Sequence, residues 1–396
     1  MKKIMILGAS AGQMPMIKKV KELGYELAVV DYNEKAVGIP YADKFYHAST
    51  IDIDAVVKAA KDYHPDGITT VQTDMPMRAV AEACRELHIP GISTEAALNA
   101  TDKEKMIEAF KRADVNSPWF YAFAPDDSYA LILETIQYPC VVKPSDNSGS
   151  RGVSLVVNGE HVREAIAYAR SHSRNGRIII EEYMTGPEVS VEVLMLSGKA
   201  NVLAVTDKLT TGAPHFIEMG HSEQSRLGDE ITENVKKLAE QAMLAVGVAE
   251  GPGHVEIIVT SKGPRVVELG ARLGGDFITT DLVPLATGVD FLKAVIQAAC
   301  GERPDITPKF NRGSAIRFIP AEEGIISGIE GIDEAEKIPG IMKVECLRAI
   351  GDRIPPLTSS LDRAGYVIAQ ADDPEQAIAL CDQALKKIKF IVREEV

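Results

Sequence analysis

The sequence has few cysteines, and its five show no Cys-x-x-Cys spacing. Cys84, Cys140, Cys300, Cys346 and Cys381 are too scattered for a zinc ribbon or a disulfide framework, and they suit a reducing compartment, the cytoplasm. No apolar run reaches the ~18 residues that a membrane-spanning helix needs. The opening Met1-Lys-Lys-Ile-Met-Ile-Leu7 is too short for a secretory signal, and Gly8 turns the chain instead. Basic residues are outnumbered, 43 Lys and Arg against 57 Asp and Glu, for a net charge of −14. A nucleic-acid surface needs clustered Lys and Arg, so this balance argues against one. Internal repeats, low-complexity stretches and obvious linkers are also missing. What is there is 45% apolar and 25% charged over 396 residues, an ordinary globular composition long enough for two or three domains with their own cores.

The N-terminal part alternates strands and helices. Lys3 to Leu7 reads as a buried strand, Gly8-Ala-Ser-Ala-Gly12-Gln13 as a turn, 15–23 as a helix and 26–30 as a second strand ending in Asp31. This is the outline of a mononucleotide-binding unit. The turn departs from Gly-x-Gly-x-x-Gly, however, with Ser10 and Gln13 where the second and third glycines belong, so the dinucleotide reading is weak. A helix over 54–62, a strand over 67–71 and a helix over 77–87 continue the alternation, which implies a parallel sheet with right-handed crossovers. Gln72-Thr-Asp74, at a strand's carboxyl end, either presents ligand groups or caps the next helix.

The chemistry concentrates further on. Pro139-Cys-Val-Val-Lys143 is a short apolar strand ending in a lysine. A small-residue loop follows through Ser148, Gly149, Ser150 and Gly152, then a strand over 153–157. Such a loop lets backbone N–H groups approach phosphate oxygens, and Lys143 adds a fixed positive charge. Ile178-Ile-Ile-Glu181-Glu182-Tyr183-Met184-Thr-Gly-Pro-Glu188 is a buried strand that breaks into a Gly-Pro turn. The break exposes backbone groups to an adenine edge and sets Glu188 toward ribose hydroxyls. Taken singly, Lys143 is equally a surface lysine, Gly149 a turn former and Glu188 a solvated turn residue.

A hairpin is expected over 189–196 and 200–207, then a polar loop from Thr210 to His221, an amphipathic helix over 229–246, and paired strands over 253–260 and 265–269. The two-residue period of those strands puts Glu256 and Glu268 on defined faces, where pairing brings them together. With no nearby cation two carboxylates repel, so a bound Mg²⁺ explains them better than packing. From about residue 312 the chain turns to short strands rich in Pro and Gly, closing with a helix over 374–388.

In order and spacing these stretches resemble the ATP-grasp superfamily of carboxylate–amine ligases over nearly the whole chain. The resemblance implies that Lys143 and the loop Ser148, Gly149, Ser150 and Gly152 cover the triphosphate of ATP. It implies that Lys103, in the apparent capping box Thr101-Asp-Lys103-Glu104, touches the phosphates in preference to Lys105. The hinge from Glu181 through Glu182, Tyr183 and Met184 to Glu188 has the spacing of the D-alanine–D-alanine ligases and holds the nucleoside. Glu256 and Glu268 match the Mg²⁺-binding acids. Many members have Asn two residues past the second acid; Gly270 stands here, so a water or a third acid such as Glu218 is expected to fill the shell. Glu218 and His221 match a Glu-x-x-His pair that faces the substrates in bacilysin-type L-amino acid ligases. Arg272 matches the arginine that holds the substrate carboxylate and acyl phosphate there.

The segment from Arg363 resembles the C-terminal domain of biotin carboxylase and its relatives, which often dimerises. The implied α/β architecture is a Rossmann-like parallel-sheet domain over 1–100, an ATP-grasp domain over 101–311 with a mobile lid lobe at about 118–185, and a small α+β domain over 312–396. The implied enzyme is a cytoplasmic homodimer using ATP and Mg²⁺. It joins a small-molecule carboxylate to an amine, or alternatively to a thiol, through an acyl phosphate and releases ADP and phosphate, with no nucleic-acid or membrane partner. The purine-biosynthesis or carboxylase branch is the alternative enzyme, and a nucleotide-binding protein without catalysis the alternative outside enzymes.

Overall fold

A computed structural model of the chain describes residues 1–147, 151–213 and 216–393. Among these residues the strands form four sheets. The first is parallel, β1 (Lys3–Leu7), β2 (Glu26–Asp31), β3 (Lys44–His47) and β4 (Gly67–Thr69), in the order β3-β2-β1-β4. Lys-Ile-Met-Ile-Leu and Glu-Leu-Ala-Val-Val-Asp are near-continuous apolar runs, as a sheet covered on both faces requires. Just past β4, Val71 bridges Leu273 in parallel. That bridge brings Gln72 to Asp74 against the segment that carries Arg272.

The second sheet is β5 (Phe120–Phe123), β6 (Cys140–Pro144), β7 (Ser154–Val156) and β8 (Ile178–Glu182), antiparallel in the order β5-β8-β6-β7. With the helix Val162–Ser171 it encloses a small apolar cluster of its own, including Phe123, Val142, Ile166 and Ile180. This lobe carries the lysine strand and the hinge strand side by side, since β6 pairs with β8.

The body is an antiparallel sheet of β9 (Glu188–Leu196), β10 (Lys199–Thr210), β11 (Glu218–Glu223), β12 (Gly251–Thr260), β13 (Gly263–Gly270), β14 (Gly313–Phe318), β16 (Ile341–Cys346) and β18 (Gly365–Ala371). A side sheet takes β15 (Gly324–Glu330), β17 (Arg353–Ile354) and β19 (Lys389–Arg393). The body order is β13-β12-β9-β10-β11-β14-β18-β16. The C-terminal strands therefore continue the body sheet through the β11–β14 pairing.

Strict alternation in Glu188-Val-Ser-Val-Glu-Val divides the faces of this sheet. Val189, Val191, Val205, Val255 and Ile257 pack in one core cluster with Val235, Leu238, Ala239 and Ala242, the apolar stripe of helix Asp229–Ala245. The opposite face is polar beside the cavity, while Leu194 and Ala204 further along it join a second apolar cluster. Glu256 pairs with Ser190, Ser190 with Thr206, and Glu223 with Ser314, and the side chains of Ser190, Glu192, Thr206, Glu223 and Ser314 are all buried there.

Two local expectations are corrected. Asp102, not Thr101, caps helix Lys103–Arg112, accepting from the N–H groups of Glu104 and Lys105; Thr101 ends the preceding helix Thr94–Thr101. The supposed loop from Thr210 to His221 contains the start of β11, because its residues pair with β10 and β14; His215 lies outside the described residues. All five cysteines are free, and among the described residues no single helix is long and apolar enough to cross a membrane.

Phe110, fully buried, stands in the core shared by Met5 and Leu7 of the first sheet and Val191 and Val255 of the body. Deleting most of such a ring costs about 3–5 kcal/mol. Phe110→Ala is therefore expected to lower the urea midpoint of the transition that loses both sheets, followed by far-UV circular dichroism. An unchanged midpoint would show that this core does not join the two.

Candidate active site

A cavity of about 420 Å³ opens between the lobe and the polar face of the body sheet, within the ordinary size range for a small-molecule site. Lys143, Glu181, Glu182, Tyr183 and Met184 wall it on the lobe side, and Glu188, Lys208, Glu218, Glu256 and Glu268 line it on the body side. A second cavity, of about 30 Å³ and roomy enough for a water or two, adjoins it. Asp74, Lys103, His254 and Arg272 line the small one, and Glu256 and Glu268 line both.

Those two acids are direct partners across β12 and β13, with a register shift just after Glu256. Carboxylates set directly opposite repel. The expectation that no cation lies near is corrected, because each acid has a lysine. Lys208 Nζ sits 3.1 Å from Glu256 and 2.5 Å from Glu188, and Lys103 Nζ sits 2.8 Å from Glu268 while donating to the Asn147 carbonyl. Against the desolvation of burial, Lys208 and then the His254 contact hold the Glu256 carboxyl well below its usual range. Lys103 does the same for Glu268 against burial and the repulsion of Glu256. Lys105, exposed and paired with Glu108, lines neither cavity.

Two hard oxygen donors that remain 21% and 29% exposed in a cavity wall suit a hard divalent cation such as Mg²⁺. Among the described residues no third His, Cys, Asp or Glu joins them into a metal-holding group. Glu218 does not fill the position left by Gly270; its carboxylate accepts from Ser360 Oγ at 2.7 Å. Gly270 itself has a packing reason. A Cβ there would meet Asp74 Oδ1 at 2.5 Å and Arg272 Cζ at 2.9 Å, so the Asp74–Arg272 pair takes the space a side chain would need.

On the lobe side, Lys143 Nζ lies 2.5 Å from Glu181, both buried. Burial outweighs this lysine and raises the Glu181 carboxyl above its usual range. Glu182 takes Arg265 at 2.7 Å. Gly152 is buried beside Pro144 and His172, and Ser148, Gly149 and Ser150 lie outside the described residues.

Arg272 grips Asp74 through two nitrogens, at 2.8 and 3.3 Å. Glu218 and His221 part company. Glu218 lines the large cavity, whereas His221 is buried away from both, its Nε2 3.3 Å from Asp276. The expected joint Glu-x-x-His lining of the cavity is thus corrected. The register shift between Leu209 and Thr210 sets Glu218 opposite Thr210 and His221 opposite Lys208, on one face of the sheet, and Asp276 engages His221 there. Arg363 from the C-terminal part clamps Asp276 with two 2.7 Å bonds, and its guanidinium lies 3.6 Å from the centre of the Phe318 ring. Despite burial, Arg363 and His221 keep Asp276 well below the usual carboxylate range.

Sequence reasoning missed Lys208, Glu192, Asp276 and Arg363 as site residues. Only Glu192 left a signal, as a glutamate at the polar position of an otherwise valine-alternating strand.

Comparison with known proteins bears on this geometry. The ATP-grasp domain family matches residues 136–281, and L-amino acid ligase C-terminal domain 2 matches 317–393. The chain thus carries an ATP-grasp domain and an L-amino acid ligase C-terminal domain. Alanine–anticapsin ligase of Bacillus subtilis (strain 168) is 25% identical over 309 residues, 70% of this chain and 65% of that protein, so the match spans about two thirds of that relative. A formate-dependent phosphoribosylglycinamide formyltransferase of Ignicoccus hospitalis is 25% identical over 403 residues, 98% of this chain and 96% of that protein. The crystal structure of L-amino acid ligase from Bacillus licheniformis shares the fold, with a TM-score of 0.85 over 100% of this chain and 99% of that one at 23% identity.

Beneath the cavity of this ATP-grasp chain, Glu223 accepts from Thr206 Oγ1 at 2.7 Å while its Oε2 has no partner among the described residues. Burial, opposed by Thr206 and reinforced by Glu192, raises its carboxyl well above the ordinary 4.5. Above that pH the folded state keeps a proton that the unfolded chain has released, so stability falls as pH rises, by up to about 1.4 kcal/mol per unit. Glu223→Gln removes this titration while retaining an acceptor for Thr206. In thermal unfolding from pH 5 to pH 8, the melting temperature of the variant is expected to gain steadily on the parent. A constant difference across that range would rule out a buried proton on Glu223.

Proposed function

We propose that the chain is an Mg²⁺-assisted, ADP-forming carboxylate–amine ligase. The observation that carries this reading is the facing Glu256–Glu268 pair, the common wall of the large cavity and of the small polar cavity that Arg272 lines. In this reading Glu182, Tyr183, Met184 and Glu188 receive the nucleoside of ATP. Lys143, Lys103 and the loop Ser148, Gly149, Ser150 and Gly152 take the phosphates. Glu256 and Glu268 would hold Mg²⁺, which when bound neutralises charge between the terminal phosphates.

A substrate carboxylate oxygen attacks the γ-phosphorus, the bond to the β-phosphate oxygen breaks, and ADP leaves. The amine nitrogen then attacks the acyl carbon of the acyl phosphate, phosphate departs with the C–O electron pair, and the nitrogen gives up a proton. Lys103, Lys143 and Arg272 supply positive charge already in place where negative charge develops, which is the economical way to lower such barriers. Arg272 beside Asp74 sets a cation next to an anion, which suits an amino acid that carries both charges. Glu218 contributes to the substrate side of the cavity, and His221 acts through Asp276.

The division at residues 100 and 311, with the lobe at 118–185 as a closing lid, belongs to the same proposal. So do a homodimer and a cytoplasmic location, which five free cysteines fit. A second reading, an enzyme acting on a phosphoribosyl substrate, is favoured by the near full-length match to the formate-dependent formyltransferase. The turn after β1 weighs against it. Gln13 accepts from the N–H and Oγ of Ser10 and donates to the Val71 carbonyl, while Asp31 accepts from the N–H groups of Ala9 and Asn33. Groups that would cradle a phosphate or ribose are already used within the turn.

Incubation with ATP and a panel of amino acids, hydroxy acids and purine intermediates is expected to yield ADP and phosphate, separated by chromatography. AMP as the nucleotide product would sink this mechanism, and turnover only with a phosphoribosyl compound would favour the second reading. Arg272→Ala is expected to lower kcat/KM for the acid by about 10²–10³-fold, the scale of one preorganised charge-stabilising donor, with ATP affinity nearly unchanged. Arg272→Lys should recover little, because an ammonium lacks the two-pronged grip of a guanidinium. Full recovery by Lys would move Arg272 from substrate binding to a structural ion pair with Asp74.

A further inference from the structure

His254 precedes Glu256 by two residues on β12, so both side chains rise from the same polar face of the sheet. On that face His254 Nδ1 lies 2.5 Å from Glu192 Oε1, and its Nε2 lies 3.4 Å from Glu256 Oε1. The other Glu256 oxygen, Oε2, faces Lys208 at 3.1 Å. Each oxygen of this acid thus has a basic neighbour. Glu192 has no exposed surface and reaches neither cavity, so its carboxylate is not there to meet a ligand. A fully buried carboxylate is expensive unless it is paired, and this one is spent on orienting an imidazole.

The space above the pair is closed by backbone. A Cβ on Gly274 would lie 2.6 Å from His254 Nδ1 and 3.0 and 3.1 Å from the two Glu192 oxygens. Gly274 belongs to the turn Arg272-Leu-Gly-Gly, so the stretch that presents Arg272 rests directly on the Glu192–His254 pair.

We infer that Glu192 and His254 form a positioning pair that orients Glu256 for the divalent cation and seats the Arg272 turn at the same time. The inference rests on the reading of Glu256 as a metal-binding acid. It assigns His254 a role through Glu256 rather than on the substrate: Glu192 fixes the ring, and Nε2 limits the swing of the carboxylate. Partners of this outer kind are worth about 10–100-fold in metal affinity where they have been removed from other proteins.

The test measures Mn²⁺ binding, by electron paramagnetic resonance, to the full chain saturated with a non-hydrolysable ATP analogue. Melting temperatures and metal-free nucleotide affinity are recorded alongside. Glu192→Gln and His254→Phe are expected to weaken Mn²⁺ binding by about 10–100-fold while leaving metal-free nucleotide affinity within about threefold. His254→Gln, whose amide reaches the Nε2 position, should recover part of the loss. His254→Asn, whose amide reaches only the Nδ1 position and so serves Glu192 alone, should not. Gly274→Ala, which touches no metal-binding atom, should weaken Mn²⁺ by pushing the pair aside, and it carries the test if a His254 variant does not fold. Equal recovery by Asn and Gln would make His254 a structural partner of Glu192 and overturn the inference. Unchanged Mn²⁺ affinity in all these variants, with Glu256→Gln weakened, overturns it while leaving the metal reading in place. Unchanged affinity in Glu256→Gln removes the metal reading and this inference with it.

Discussion

Two carboxylates are held opposite one another on adjacent strands, and much of the surrounding structure is arranged to make that tolerable. Like charges at cross-strand distance repel, and the repulsion grows as water is excluded. Glu256 and Glu268 are kept ionised by cations from different parts of the chain: Lys208 from β10, Lys103 from the first turn of a helix, and the imidazole of His254. His254 is pushed up to about 9, because the Glu192 carboxylate outweighs the desolvation of its burial. The ring is therefore cationic at neutral pH and shares in the balance.

The same constraint explains the division of the body sheet. A sheet with two apolar faces would leave these acids without a polar floor, and one with two polar faces would have no core. Alternation along β9 and β12 gives valine and isoleucine to the helix Asp229–Ala245 and gives Glu, Ser and His to the cavity side. Continuation of the sheet into β14 and β18 then brings the C-terminal part against the site. Arg363 reaches Asp276 and the Glu218 carbonyl, and Ser360 reaches the Glu218 carboxylate. The C-terminal segment consequently holds one residue of the cavity wall, Glu218, from behind.

Much of this was legible from the sequence. Period-two valines marked β9, the 3.6-residue stripe marked the helix from Asp229, and the order lysine strand, small-residue loop, hinge, then two acids marked the family. Those features are local, or depend only on order along the chain, and local sterics and hydrophobic periodicity suffice to produce them. Asp74, left open between ligand group and helix cap, and Gly270, read as a lost metal ligand, turned out to share one explanation. The Asp74–Arg272 pair fills the space in which a side chain at residue 270 would lie.

What the sequence determined by itself was the kind of element at each stretch and the set of residue types available for the chemistry. What only the tertiary structure decided was which charge answers which. Lys208 and Glu256 are 48 residues apart, and Asp74 and Arg272 are 198 apart. Such pairings depend on strand register and on one parallel bridge between two sheets, neither of which leaves a periodic trace in the chain. His221 shows the consequence most plainly. Its spacing from Glu218 matched a substrate-facing pair, yet an aspartate from a distant turn, itself clamped by Arg363, engages it, and contacts between stretches so far apart along the chain leave no mark in the sequence.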